Sequence, residues 1–204
     1  FTIVTQSTAP PGSGLGTSAS MGVALLAALA RYARKYLLPY ELAELASAIE
    51  RQELKIRGGK QDHYASALGG ISFMEFRGEE VKTSALRLSQ DTQFELEKNL
   101  VLCYTGKSRL SGDIHRNVVE AYTGGESKTV NAIETMKEIT LKMKDALLSG
   151  RMEEFGQLMS ENWENQKRLH PSVSNNDIER LFELAMEQGA LGGKACGAGG
   201  GGCL

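Results

Sequence analysis

Pro10-Pro11-Gly12-Ser13-Gly14-Leu15-Gly16-Thr17-Ser18-Ala19-Ser20 sets a glycine-rich turn directly in front of an apolar segment. Glycines at alternate positions let backbone N–H groups converge on an anion, and a following helix adds its unpaired N–H groups and the positive end of its dipole. The stretch therefore predicts a phosphate-binding loop, with the hydroxyls of Thr17 and Ser18 placed to meet a Mg²⁺ on that phosphate. No Gly-Lys-Ser/Thr follows, which excludes the Walker pattern, and Thr17 stands where the dinucleotide fingerprint has its third glycine. Taken alone, the stretch leaves open a glycine turn before a core helix with no ligand at all. The helix is expected over residues 19–36, where Met21, Val23, Leu25, Leu26 and Leu29 make most faces apolar and so predict a buried element.

The far end of the chain is richer still in glycine. Residues 192–202 read Gly-Gly-Lys-Ala-Cys-Gly-Ala-Gly-Gly-Gly-Gly, seven glycines in eleven positions. A flexible linker has this kind of composition. Against that, the run is flanked by Ala190-Leu191 and Cys203-Leu204, lacks the serines or charge pattern of a linker, and carries one lysine, Lys194, placed to meet an anion. A tight loop packed close to a ligand is the better account.

Together the two loops resemble signature motifs of the GHMP small-molecule kinases, the first like Pro-x-x-x-Gly-Leu-Gly-Ser-Ser-Ala, the last like the family's third motif, in the family's order. Between them, the run from Glu50 to Ala65 looks like the family segment carrying a Mg²⁺-binding glutamate and, twelve residues on, an aspartate facing the acceptor hydroxyl. The resemblance implies an α+β, two-lobed GHMP kinase fold, with lobes at residues 1–90 and 91–204. ATP and Mg²⁺ are the implied cofactors. By the same resemblance Pro11, Gly12, Ser13, Gly14, Leu15, Gly16, Thr17 and Ser18 wrap the ATP phosphates, Ser18 and Glu50 hold Mg²⁺, and Asp62 orients the sugar hydroxyl and takes its proton. The loop at residues 197–202, with Gly199 and Gly200, closes the site. Without the resemblance, Asp62 also reads as a helix N-terminal charge and Glu50 as a solvated helix face.

A narrower resemblance, to the D-glycero-D-manno-heptose 7-phosphate kinase branch, is carried by Gly58-Gly59-Lys60-Gln61-Asp62-His63-Tyr64-Ala65, by Tyr104-Thr105-Gly106-Lys107-Ser108-Arg109-Leu110-Ser111 and by the closing glycine run. It implies phosphorylation of the anomeric hydroxyl of a sugar phosphorylated at its other end, on the way to nucleotide-activated heptose. Lys60, Lys107 and Arg109 are then the candidate cations for the distal phosphate, Arg109 through a bidentate contact. A fucose-type sugar kinase shares most of these residues, and a non-catalytic protein holding a sugar phosphate or nucleotide is the reading from a different class.

The chain opens at Phe1 in a strand-like run and stops at Leu204 in another, without the family's N-terminal motif, so a fragment of a longer kinase, partial at both ends, is expected. Hydrophobic residues make up 41% and the net charge is −2, with bases spread among acids. That argues against a nucleic-acid surface, and no apolar run reaches a membrane-spanning length. Cys103, Cys196 and Cys203 show no disulfide or metal spacing, which suits reduced thiols in a cytoplasmic protein, with Cys103 in the core.

Strands are expected at residues 1–5, 71–76, 81–88 and 100–104, the middle pair joined by Arg77-Gly78-Glu79. Apolar spacing predicts helices over 40–54, 61–68, 130–147, 155–169 and 178–185, the last capped by Asn175-Asn176-Asp177 and ended by Gly189. Polar residues 89–93 read as the boundary between lobes.

Overall fold

Gly16, with a left-handed φ of 68°, turns the chain into the first helix, α1 (Thr17–Tyr32), and its carbonyl accepts from Ser20 N–H at 2.9 Å. A computed structural model of the chain describes residues 1–56, 58–108 and 112–204, with residues 112 and 113 as backbone alone. The helix ends before residue 36 because Arg34 turns left-handed, with φ 54°. It is not the buried element its composition predicts. Only its small residues, Ala19 and Val23, are buried, while Met21 and Tyr32 are exposed. Its remaining apolar side lines a groove of about 550 Å³ with the first residues of the chain, among them Phe1, Ile3 and Val4.

The expected helix over 40–54 forms in two parts. Pro39 opens α2 (Pro39–Ala48), where Glu41 accepts from Leu38 N–H at 2.7 Å. A wider turn, Ile49–Glu53, follows, in which Leu54 N–H reaches back five residues to Ile49 O at 3.0 Å. α3 (Gln61–Leu68) matches its expectation, and the hairpin is antiparallel, with β1 (Ser72–Arg77) against β2 (Glu80–Ala85) and Gly78 in the turn at φ 61°.

Past the hairpin come α4 (Gln90–Asn99), α5 (Gly112–Thr123), α6 (Ser127–Leu148), α7 (Met152–Lys167) and α8 (Asn176–Glu187). Residues 89–93, read from the sequence as the boundary between lobes, hold the start of α4: the Ser89 hydroxyl accepts from Thr92 N–H at 3.1 Å. Asn175 caps α8, its Oδ1 accepting from Asp177 and Ile178 N–H at 3.1 Å each. Residues 1–5 form no strand, having no partner among the described residues. The run at 100–104 pairs only at its end, Tyr104 bridging Cys203, with Cys103 and Leu204 exchanging backbone bonds at 2.9 and 2.8 Å. This backbone pairing leaves the Cys103 side chain exposed rather than in the core.

Two compact units result, one of Phe1–Pro11 and Leu15–Leu86, the other of Gly12–Gly14 and Arg87–Leu204. Unit one is held by the small buried faces of α1, α2 and α3, including Ala43 and Ala46. Unit two has larger cores, one of Ile114, Trp163, Val173, Ile178 and Ala195, another of Ile139, Ala146 and Leu158 where α6 meets α7. Ile139, 1% exposed, sits at the centre of the second. Ile139→Ala should lower stability by about 2–5 kcal/mol, read as an earlier urea midpoint at unchanged m-value; a loss under about 0.5 kcal/mol would contradict this packing.

Candidate active site

In unit one the structure gathers four of the sequence-selected residues. The Ser18 hydroxyl, in the first turn of α1, donates to Glu50 Oε1 at 3.0 Å. Asp62, in the first turn of α3, lies against Gly16 so closely that a Cβ there would stand 3.0 Å from its Cγ. His63 Nε2 meets Glu50 Oε2 at 2.6 Å, with the ring 3% exposed. His63 belongs to the stretch that carries the narrower resemblance, and the structure places it on the glutamate. Thr17 opens α1 beside Ser18, Leu15 is exposed, and Pro11 closes the first segment of this unit.

In unit two the two glycine-rich loops pack on each other. Cys203 N–H donates to Ser13 O at 2.8 Å, and Cys196 N–H to Cys203 O at 2.8 Å. A Cβ on Gly14 would lie 2.5 Å from Cys196 O, and one on Gly202 2.5 Å from Ser13 O, distances no side chain tolerates. Gly12, Gly14 and Gly202 are all at positive φ, which suits glycine alone. Helix side chains hold the second loop: Gln166 Nε2 donates to Gly197 O at 2.8 Å and Asn175 Nδ2 to Gly200 O at 3.2 Å. Gly199 is set on Val173, whose carbonyl also accepts from Gly200 N–H at 2.6 Å. Sequence reasoning missed Gln166, and took Asn175 only as a cap; polar residues on otherwise apolar helix faces were the available signal. The Ser13 hydroxyl is buried with no hydrogen-bond partner among the described residues, an orphan in a loop built to face an anion.

The three candidate cations part company. Lys60 is 8% exposed and donates to both oxygens of Glu44, at 3.2 and 3.1 Å, and to Glu79 O at 3.1 Å, with the Glu79 carboxylate 3.0 Å away. Burial alone would raise the Glu44 carboxyl, but hydrogen bonds from Tyr64 and Lys60 outweigh it and hold it below its ordinary value. Lys107 pairs with Asp177 at the start of α8. Arg109 lies outside the described residues. Lys194 donates to the buried Asn162 Oδ1 at 2.7 Å, and burial lowers its pKa.

Among the described residues no cluster of three or more His, Cys, Asp or Glu forms a metal cage. Mg²⁺ needs none: it keeps several waters and takes one or two protein oxygens with substrate phosphates. The Ser18 hydroxyl and Glu50 carboxylate are hard oxygen donors at 3.0 Å from each other, and that pair fits the ion. No helix among the described residues is long and apolar enough to cross a membrane.

Residues 1–70 match the model of the GHMP kinases N terminal domain, and residues 143–204 that of the GHMP kinases C terminal domain. The chain is 37% identical over its whole length to D-glycero-alpha-D-manno-heptose 7-phosphate kinase from Campylobacter jejuni, of which it covers 60%. It is 31% identical over 98% of its length to the bifunctional fucokinase/GDP-fucose pyrophosphorylase of Arabidopsis thaliana, covering 19% of that protein. Among solved structures, a D-glycero-D-manno-heptose 1-phosphate kinase from Bacteriodes thetaiotaomicron superimposes with a TM-score of 0.73 at 33% identity, over 96% of this chain and 53% of that one. The chain thus spans between about half and three fifths of the heptose kinases it matches.

Gly202→Ala should lower stability by more than the ~1–2 kcal/mol of a left-handed backbone, because the methyl also meets Ser13 O. Chemical denaturation monitored by Trp163 fluorescence, in the second unit, reads this; an unchanged midpoint would mean that the loops do not pack this way.

Proposed function

As the chain belongs to the GHMP kinases, we propose that it transfers the terminal phosphoryl group of Mg·ATP to the anomeric hydroxyl of D-glycero-D-manno-heptose 7-phosphate, giving the 1,7-bisphosphate. The observation that carries this reading is the convergence of Ser18, Glu50 and Asp62 in one unit, from three separate helical elements. A protein that only binds has no chemical need of all three.

Phosphoryl transfer is mostly positioning and stabilisation of charge on the phosphoryl oxygens. The backbone N–H groups of residues 12–18 would cradle the nucleotide phosphates, glycine at 12, 14 and 16 admitting the close approach. Ser18 and Glu50 would hold Mg²⁺, which when bound neutralises charge on those phosphates. Asp62 would orient the attacking hydroxyl. A carboxylate is far too weak a base to strip an alcohol beforehand, so Asp62 takes the proton late, as the oxygen becomes bonded to phosphorus.

The relatives' names support the heptose assignment, though they place the phosphate at different positions, 7 and 1. One observation favours a fucose-type sugar as the second reading. Lys60 and Lys107 already have carboxylate partners, which leaves less charge for a distal phosphate, and a fucokinase is among the relatives.

ADP release by the full natural polypeptide with Mg·ATP separates these readings on heptose 7-phosphate, heptose 1-phosphate, unphosphorylated heptose and fucose. Turnover confined to the 7-phosphate is expected; turnover on fucose alone moves the substrate, and none on any sugar removes the kinase reading. Asp62→Asn should cut kcat by about 10²–10⁴-fold while nucleotide affinity, read by calorimetry, stays within about twofold. Full kcat in that variant would take Asp62 out of the reaction.

A further inference from the structure

We infer that His63 is a positioning residue that aims the Glu50 carboxylate at the metal and sets its separation from Asp62. Glu50 stands in the π-helical turn Ile49–Glu53, where hydrogen bonds reach back five residues rather than four, and the backbone there does not by itself fix where the end of so flexible a side chain lies. Two contacts do. Ser18 holds Oε1 at 3.0 Å and His63 holds Oε2 at 2.6 Å, one on each carboxylate oxygen.

His63 is suited to the task by its place in the fold. It is 3% exposed, as is its neighbour Tyr64 on α3, so its ring is packed rather than free to turn. It is also the chain neighbour of Asp62. From adjacent positions of one helical turn, Asp62 faces Gly16 while His63 grips Glu50. The two carboxylates are thereby tied to a common element, α3, although one of them sits outside it, on the turn Ile49–Glu53. A carboxylate only accepts, so His63 Nε2 carries the proton in this contact. His63 Nδ1 has no hydrogen-bond partner among the described residues, so the contact with Glu50 is the polar contact that holds the ring. Partners of metal ligands that act this way are commonly worth 10–100-fold in metal affinity.

The inference rests on the kinase reading, in which Glu50 is a metal ligand. The test therefore measures metal binding without turnover, by electron paramagnetic resonance of Mn²⁺ titrated into the full natural polypeptide with ADP. His63→Leu should weaken Mn²⁺ by about 10–100-fold, with metal-free ADP affinity unchanged. His63→Gln, which keeps an N–H donor, should recover most of the loss. Equal Mn²⁺ affinity in His63→Leu and wild type would overturn the inference alone, as would a His63→Gln variant as weak as His63→Leu. A wild-type protein that binds no Mn²⁺ in the presence of ADP would instead overturn the kinase reading and this inference with it. Should His63→Leu not fold, the wild type still decides: a long-range ¹⁵N–¹H correlation spectrum should place the His63 proton on Nε2, and a proton on Nδ1 alone would overturn the inference.

Discussion

Backbone meets backbone between residues 12–14 and 196–203, and that approach is possible only because the meeting positions lack side chains. The carbonyls of Cys196 and Ser13 occupy the space where a Cβ of Gly14 or Gly202 would project. Such glycine density costs conformational entropy on folding, up to about 1 kcal/mol per position relative to alanine, and the loop has little apolar surface to offset it. What offsets it is a ring of hydrogen bonds from outside, supplied by Gln166, Asn175 and the Val173 carbonyl, all rooted in the helical core around Trp163 and Ile178. The packed helices of unit two thus act as the template on which an otherwise shapeless segment acquires one shape.

Unit one solves a different problem with different means. Its buried residues are mostly small, Ala19, Val23, Ala43 and Ala46, so the hydrophobic contribution is limited and polar contacts take a larger part. Lys60, at the start of α3, joins α2 through Glu44 and the hairpin turn through Glu79, while Tyr64 closes on the same Glu44. Breaking such a partly buried network by removing one member leaves the others without partners, which costs more than the network contributes when whole. Lys60 therefore stands as a strut of the element that carries Asp62 and His63.

Much of this was legible in the chain. The spacing of Val130, Ile133, Met136 and Ile139 gave α6 its place, Asn175 its helix cap, and the hairpin its turn at Gly78, since each rests on local chemistry. The glycine motifs pointed to a family before any geometry was known. Illegible were features set by neighbours distant in sequence. α4 carries no apolar stripe to announce it, and the exposure of Cys103 follows from pairing with residues 203–204. α1 is less buried than its apolar composition implies, because composition records apolarity and not what lies opposite. Ser18, Glu50 and Asp62 stand in stretches that resemble the family's motifs, whereas the contact of His63 with Glu50 joins a helix to a π-helical turn that no residue pattern signals.

Ser13 and Cys203, bonded through the backbone, lie far apart in the sequence. Synthesis runs from the amino end, so residues 12–14 emerge well before residues 196–203, with which they pair. Closing so long a loop is entropically slow and comes after local helices have formed. The early glycine loop is therefore unpaired on every nascent chain until residues 196–203 arrive. An incompletely made polypeptide is in this way denied the paired loops, whatever the state of its helices.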